Sequence, residues 1–356
     1  MKPSIARPWQ LSLSQVASSS NAGSVLINGL SGPTAKVNPP KVPFVSEMVN
    51  IHDVDCCFHT WDPDAKFAER PPKALVVFLH GANTHGAFPT TRLVADLMVH
   101  NGYAFMSPDL PGHGRSSGMR GYMESGDYMV DIADKAVDHA YGSYLDKIAS
   151  EKAECPEMAS PGTKLFLIGT SMGGNLSLQV ALRRRKDINF GGAILLAPML
   201  RINFYTPLTR LVVKHSFGLL PKAEVLPMPR CNHYRDPKIR KECDKDQLKP
   251  FQTGDMVKLG YIKTLVDLEG SLNAQFEDVS CPCLVMVADQ DKLVDNQGAI
   301  ELMERARSKD MTLKRYPALH GLMGEPSPLL DRMEADMVRW IDERSKQQPY
   351  FIRSSL

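Results

Sequence analysis

Short apolar runs recur along this chain, and each is followed by a segment of helical character. The runs are apolar at consecutive positions, which is typical of parallel strands covered by helices on both faces. They lie at 74–79, 103–106, 165–168, 193–196 and 284–287. The alternation predicts an α/β fold with a mostly parallel central sheet and right-handed crossovers. In such sheets the reactive groups lie beyond the carboxyl ends of the strands.

The alternation stops between residues 200 and 270, in a stretch rich in proline that holds two apolar patches and a charged run. We interpret 200–270 as a cap inserted over the reactive edge of the sheet, between core segments 47–199 and 271–356. Residues 1–46 contain no aspartate or glutamate and show no helix or strand periodicity. We expect a disordered tail there, with an organellar transit segment as the alternative.

The composition argues against several classes of protein. The 356 residues carry 42 Lys+Arg against 40 Asp+Glu, and this balance argues against nucleic acid as the main partner. The seven cysteines show no zinc-ligand spacing, so we expect neither a metal nor a cofactor. No apolar run approaches the roughly 18 residues that a membrane-spanning helix needs. We expect a cytoplasmic or membrane-peripheral protein, or an organellar one if the first residues are a targeting segment.

The segment Gly169-Thr170-Ser171-Met172-Gly173 follows a strand-like run and precedes a helical one. It matches the G-x-S-x-G nucleophile elbow in the structural context that this motif requires. The glycines allow a sharp turn, which strains the backbone of Ser171 and brings its hydroxyl to the amino end of a helix. We therefore predict that Ser171 is a catalytic nucleophile.

A serine nucleophile needs a base, and the base needs an acid that orients it. With this elbow the chain order is serine, acid, histidine. Three aspartates follow the run at 284–287, and His320 is the only histidine beyond them. We predict His320 as the base and Asp291 as the acid. Asp289 lies too near the strand end, and Asp295 is placed to cap the helix that follows.

The tetrahedral intermediate of ester cleavage carries a negative oxygen that needs two preset donors. We predict that these are the backbone N–H groups of Met172, next to the nucleophile, and of Ala82, in the loop after the run at 74–79. His80 in the same loop and His113 in the glycine-rich turn that follows the run at 103–106 are interpreted as structural hydrogen-bonding residues.

Several segments resemble the monoacylglycerol lipases of the α/β-hydrolase superfamily, namely 80–82, 111–116, 169–174 and 289–295. In the cap, residues 235–242 resemble the plant branch of that family, which includes lysophospholipases and caffeoylshikimate esterases. The resemblance covers about residues 48–345. It implies the α/β-hydrolase fold with an inserted helical cap.

The resemblance also implies the site and the activity. It assigns the nucleophile, acid and base to Ser171, Asp291 and His320, and the oxyanion donors to Ala82 and Met172. The implied enzyme is a serine esterase that cleaves monoacylglycerol to fatty acid and glycerol through an acyl-enzyme. Its small lipid substrate would enter under the apolar cap, whose patches suggest peripheral contact with a membrane.

Three other interpretations compete with this one. The same triad could serve a lysophospholipase or a phenolic-ester esterase of the caffeoyl type, and the sequence leaves both open. A hydrolase-like binding protein without activity is disfavoured because all three triad positions are filled. Dehalogenases and epoxide hydrolases would need aspartate at position 171. The oligomeric state, the acyl-chain length and the head group are not fixed by the sequence.

Overall fold

The computed structural model describes residues 42–63, 72–154, 163–187, 189–203, 220–228 and 233–345. The strands in this part of the chain are β1 Val45–Ile51, β2 Val54–Trp61, β3 Ala74–Leu79, β4 Ala104–Pro108, β5 Lys164–Thr170, β6 Phe190–Leu196, β7 Glu224–Pro227, β8 Met256–Lys258, β9 Cys283–Ala288 and β10 Met311–Tyr316. The α-helices are α1 Pro89–His100, α2 Gly126–Glu154, α3 Met172–Arg183, α4 Pro237–Lys245, α5 Leu259–Asn273, α6 Gln297–Arg305 and α7 Leu329–Ser345.

Eight strands form one sheet in the order β1-β2-β4-β3-β5-β6-β9-β10. The pairs β1–β2 and β2–β4 are antiparallel, and the remaining neighbours are parallel. The predicted mostly parallel sheet is confirmed, and each of the five apolar runs forms a strand. β1 is largely exposed, so its sequence has no apolar run that would indicate a strand. The domain boundary predicted at residue 47 falls within β1.

Both faces of the sheet are covered, which explains the uninterrupted apolar runs. Leu75 and Val77 of β3 pack in one apolar cluster with residues of α2, α3 and α5. Val76 and Phe78 point to the other face and pack with residues of α1 and α7. The sheet is therefore the middle layer of three, as the predicted fold class requires.

The chain leaves the sheet between β6 and β9, in the region predicted as the cap. Its described part contains the antiparallel pair β7–β8 and the helices α4 and α5. The predicted apolar patches at 208–213 and 217–220 lie outside the described residues except for Leu220, which is exposed. Residues 1–41 of the predicted tail also lie outside them. Among the helices described, none combines the length and the apolar character that a membrane crossing requires.

Candidate active site

Ser171 occupies the turn between β5 and α3. Its φ of +53° and ψ of −116° are strained for a residue with a side chain, so the predicted strain at this position is confirmed. A Cβ on Gly173 would overlap the carbonyl oxygen of Leu79, and one on Gly169 would overlap the carbonyl of Gly173. The two glycines of the motif therefore let α3 start directly against the sheet, with Ser171 at its amino end.

The predicted acid and base are in direct contact. His320 Nδ1 lies 2.6 Å from Asp291 Oδ2, and the other carboxylate oxygen accepts the N–H groups of Leu293 at 2.8 Å and Val294 at 3.0 Å. Burial alone would raise the pKa of Asp291, but the bonds from His320 and the two N–H groups lower it below its ordinary value. Asp291 therefore stays ionised, holds the proton of His320 on Nδ1 and leaves Nε2 as the basic nitrogen.

The two other aspartates near Asp291 have separate structural partners. Asp289 pairs with Arg315, at 2.8 Å, on the neighbouring strand β10. Asp295 accepts the N–H of Gln297, the first residue of α6, at 2.9 Å, which is the capping contact predicted for it. Among the three aspartates, the contact with His320 is made by Asp291.

Ser171 and His320 line the same cavity, whose volume is about 680 Å³. The volume falls in the range of about 300–1,000 Å³ that is usual for small-molecule sites. Two parts of the lining differ in composition. One, here called the apolar wall, belongs to the main core and consists of Met199, Ile202, Val257, Ile262, Leu265 and Leu293. The other, here called the aromatic wall, belongs to a separate small cluster and consists of Phe88, Tyr234 and Cys243.

The loop after β3, residues 80–84, is called the donor loop here. Its buried His80 donates from Nδ1 to the carbonyl of Gly81 at 2.9 Å and accepts the N–H of Leu110 on Nε2 at 3.0 Å. Desolvation, with repulsion from His113, lowers the pKa of His80 to about 3. Since both ring nitrogens are occupied and the ring is neutral, its geometry supports the predicted structural role. A Cβ on Gly81 would lie 3.2 Å from the carbonyl oxygen of Thr170, so the loop lies directly against the elbow.

Both predicted oxyanion donors lie at this junction. Ala82, in the donor loop, lines the cavity. Met172 is the first residue of α3, where an N–H group has no acceptor within the helix. Ala82 and Met172 as oxyanion donors therefore stay a prediction, with one residue in the donor loop and the other directly after Ser171.

The cap contacts the donor loop through Tyr261 of α5. Its hydroxyl accepts the N–H of Asn83 at 2.8 Å and lies 3.3 Å from Nε2 of His113. The other nitrogen of His113 bonds the carbonyl of Pro111 at 2.9 Å, and burial lowers the pKa of this ring to about 4. Asn83 has a positive φ of +53°, and its Oδ1 accepts the N–H of Phe251 at 2.8 Å. These bonds fix the loop next to Ala82.

A second contact between cap and core was not predicted from the sequence. The ring of His233 meets the ring of His320 edge to face, with centroids 5.9 Å apart. Desolvation, together with His320, lowers the pKa of His233 to about 4, so this second imidazole is neutral near pH 7. The carbonyl of His233 accepts the N–H of Gly321 at 3.0 Å, which holds the loop that carries His320.

Arg235 strengthens the same contact. Its guanidinium lies 2.9 Å from the fully buried carboxylate of Glu325 and donates to the carbonyl of Pro317 at 3.1 Å and to Gln290 at 2.7 Å. It therefore joins the cap to two loops of the core, the one that carries Asp291 and the one that carries His320. The family-like segment that begins at Arg235 was the only signal in the sequence that could have pointed to this contact.

A buried cluster around Asp109 supports the turn at 109–116. Asp109 accepts Nε2–H of His59 at 3.0 Å and the N–H groups of Gly86 at 2.6 Å and Arg115 at 2.7 Å. The ligand atoms of Cys57, His59 and Asp109 lie within 4.8 Å of one another. Because both Asp109 oxygens already accept hydrogen bonds and burial raises the pKa of Cys57 to about 11, we interpret the cluster as a structural support.

The chain is similar to proteins of one known family over most of its length. Residues 70–327 match the family described as Serine aminopeptidase, S33. The chain belongs to this family. It is 26% identical to the monoglyceride lipase of Mus musculus over 312 residues, which cover 86% of this chain and 93% of that protein. It is 28% identical to the caffeoylshikimate esterase of Arabidopsis thaliana over 253 residues, which cover 69% and 71% of the two chains.

A solved structure supports the fold. A soluble variant of the monoglyceride lipase from Saccharomyces cerevisiae, in complex with a substrate analog, superposes with a TM-score of 0.68 at 18% identity. The match covers 89% of this chain and 100% of that one. The predicted α/β-hydrolase fold and the predicted resemblance to monoacylglycerol lipases are both confirmed, and this chain is an enzyme of the α/β-hydrolase class.

Proposed function

We propose that this chain hydrolyses carboxylic esters of single-chain lipids, with monoacylglycerol as its main substrate. The observation that carries the proposal is the 2.6 Å bond between Asp291 and His320 at a cavity that Ser171 also lines. The apolar wall would hold the acyl chain, because burial of its methylene groups is favourable. Similarity to monoglyceride lipases over most of the chain supports the choice of substrate.

The reaction would follow from the roles of the five predicted residues. His320 takes the proton of the Ser171 hydroxyl as the oxygen attacks the ester carbonyl, and Asp291 stabilises the imidazolium that forms. The N–H groups of Ala82 and Met172 bind the oxyanion. His320 then protonates the departing glycerol oxygen, which leaves an acyl-enzyme. Water activated by His320 releases the fatty acid and restores Ser171.

A lysophospholipid or a phenolic ester of the caffeoyl type is the second candidate substrate. The similarity to a caffeoylshikimate esterase favours the phenolic ester. The chemistry at Ser171 would be the same for all three esters. A panel of short, long and aromatic esters, measured on the purified protein, separates them, and the best substrate is the one with the highest kcat/KM.

Replacement of Ser171 tests the nucleophile. A fluorophosphonate probe should label the wild type at Ser171, and Ser171→Ala should lose the label and lower kcat by about 10⁴-fold or more. Ser143→Ala, on α2, is the matched control and should keep both label and turnover. Labelling of Ser171→Ala would contradict the assignment.

A further inference from the structure

Asn175 is a fully buried amide at the end of the first turn of α3, four residues after Ser171. Its Nδ2 donates to the carbonyl of Met199 at 2.9 Å and to that of Leu268 at 3.1 Å, and its Oδ1 accepts Nε2–H of Gln179 at 2.8 Å. Both hydrogens of the amide and its oxygen are therefore used. A buried polar group with all of its bonds made specifies one arrangement of its neighbours.

The bond to Met199 leads to the backbone of the nucleophile. The N–H of Met199 donates to the carbonyl of Ser171 at 2.9 Å, and the N–H of Ser171 donates to the carbonyl of Leu196 at 2.9 Å. The end of β6 and the segment after it therefore hold Ser171 on both sides of its Cα. Because Asn175 binds the carbonyl of Met199, it fixes that segment from the opposite side.

Ser171 needs this support because its backbone is strained. Its φ of +53° is unfavourable for a residue with a side chain, and Ala197, which lies between the two residues that hold it, has a φ of +42°. Such conformations persist only where the surrounding structure fixes them. Without the bond from Asn175, Met199 and the turn at Ser171 are free to relax together, which moves the hydroxyl group of the nucleophile.

The second bond of the amide joins the elbow to α5. Leu268 lies on this helix, and Tyr261 of the same helix accepts the N–H of Asn83 in the donor loop at 2.8 Å. Asn175 therefore connects the elbow to the helix that also holds the donor loop. One helix thus fixes both the nucleophile and the donor loop, whose mutual positions determine how an ester carbonyl is held.

We infer that Asn175 is a positioning residue for the hydrolysis proposed above and that it acts by fixing the backbone of Ser171 through Met199. The inference rests on the proposed function and adds a residue outside the predicted triad and oxyanion donors. Asn175 is not among the described residues that line the cavity, so it acts without contact to the substrate. Its replacement should therefore lower kcat and leave KM almost unchanged.

The test uses Asn175→Leu, which keeps the approximate size of the side chain and removes both donors. With monolauroylglycerol below its critical micelle concentration as substrate, kcat should fall about 10- to 100-fold, because a small misplacement of a reacting group is costly. KM should change less than about threefold. The second-order rate constant for fluorophosphonate labelling of Ser171 should fall by a factor similar to that of kcat.

Gln179→Met is the matched control. Gln179 belongs to the same buried network and bonds Asn175 at 2.8 Å and Leu268 at 3.4 Å, but within the described part of the chain it makes no bond to Met199. Both variants should lower the temperature of unfolding, because each removes hydrogen bonds between α3 and α5. Only Asn175→Leu should lower kcat. Asn175→Ala replaces Asn175→Leu if circular dichroism shows that the leucine variant does not fold.

The inference is overturned if the folded Asn175 variant keeps kcat within about threefold of the wild type, if the change lies in KM alone, or if Gln179→Met lowers kcat as much. Each of these results would leave ester hydrolysis itself intact, provided that the wild type cleaves monolauroylglycerol and the fluorophosphonate labels Ser171. A wild type that shows neither cleavage nor labelling would instead refute the proposed function.

Discussion

Asp109 is a fully buried carboxylate that joins three segments of the chain. It bonds His59 on β2, Gly86 before α1 and Arg115 in the turn after β4. Burial alone would raise its pKa, but the bond from His59 and the backbone donors lower it to about 2. This value lies below the ordinary 3.8, so the folded protein stabilises the ionised carboxylate of Asp109 more than the unfolded chain does. Asp109 therefore stabilises the fold above pH 4.

We expect Asp109→Asn to lower the free energy of unfolding by about 2 kcal/mol at pH 7, since one pKa unit is worth about 1.36 kcal/mol. The difference from wild type should be complete above about pH 4 and shrink as the pH falls towards 2. Urea unfolding at pH 7, 4 and 3 measures it. Asp131→Asn, in an exposed pair with Arg183, should cost less than about 0.5 kcal/mol. A deficit that stays constant at low pH would contradict this account.

At the same scale, chain order was enough to predict the contact between Asp291 and His320. Only one histidine follows the aspartates, so no rival existed for the base. His233 gave no comparable signal. It reaches the site from the cap, and its contact with His320 depends on which core loop lies opposite, a matter of tertiary packing that no local pattern records.

The elbow formed by β5 and α3 is the element on which the site depends. The first turn of α3 approaches the end of β3 so closely that position 173 has no room for a Cβ beside Leu79 and His80. The motif predicted this element correctly because its glycines are required by that contact. β1 was not predicted. The strand is exposed and lies at the edge of the sheet, so burial imposes no apolar pattern on its sequence.

Two substitutions of glycine by alanine should therefore change the free energy of unfolding in opposite directions. Gly173→Ala should lower the free energy of unfolding by about 3 kcal/mol, because the added methyl overlaps backbone atoms that cannot move without disturbing β3. Gly270→Ala, in α5, meets nothing within 4 Å and should raise it by about 0.5–1 kcal/mol through helix propensity. Denaturant titrations of both variants measure the difference, and equal effects would exclude the steric explanation.

At the scale of the molecule, the cap and the core are joined on both sides of the cavity. Tyr261 reaches the donor loop, and Arg235 reaches Glu325, Pro317 and Gln290 around the loop of His320. The break in strand–helix alternation predicted where a cap would be inserted. It could not predict these attachments, because the partners of Arg235 lie 55 residues or more away in sequence.

Removal of the Arg235 guanidinium should destabilise the whole assembly. Arg235→Ala leaves the carboxylate of Glu325 buried without its cation and should lower the free energy of unfolding by about 1–3 kcal/mol, a range reduced because Arg235 is itself 38% exposed. Adding Glu325→Gln should restore part of this loss, since the uncharged amide tolerates burial better. Thermal unfolding of both single variants and the double variant tests the coupling. Strict additivity of the two changes would argue against the ion pair.

One hydroxyl group of the cap also bears on the proposed oxyanion site. The Tyr261 hydroxyl accepts the N–H of Asn83, the residue next to Ala82. Without that acceptor the neighbouring amide, which is proposed to bind the oxyanion, would lose its fixed direction. The insertion is therefore more than a cover for the acyl chain, because a change in it can reach the chemistry itself.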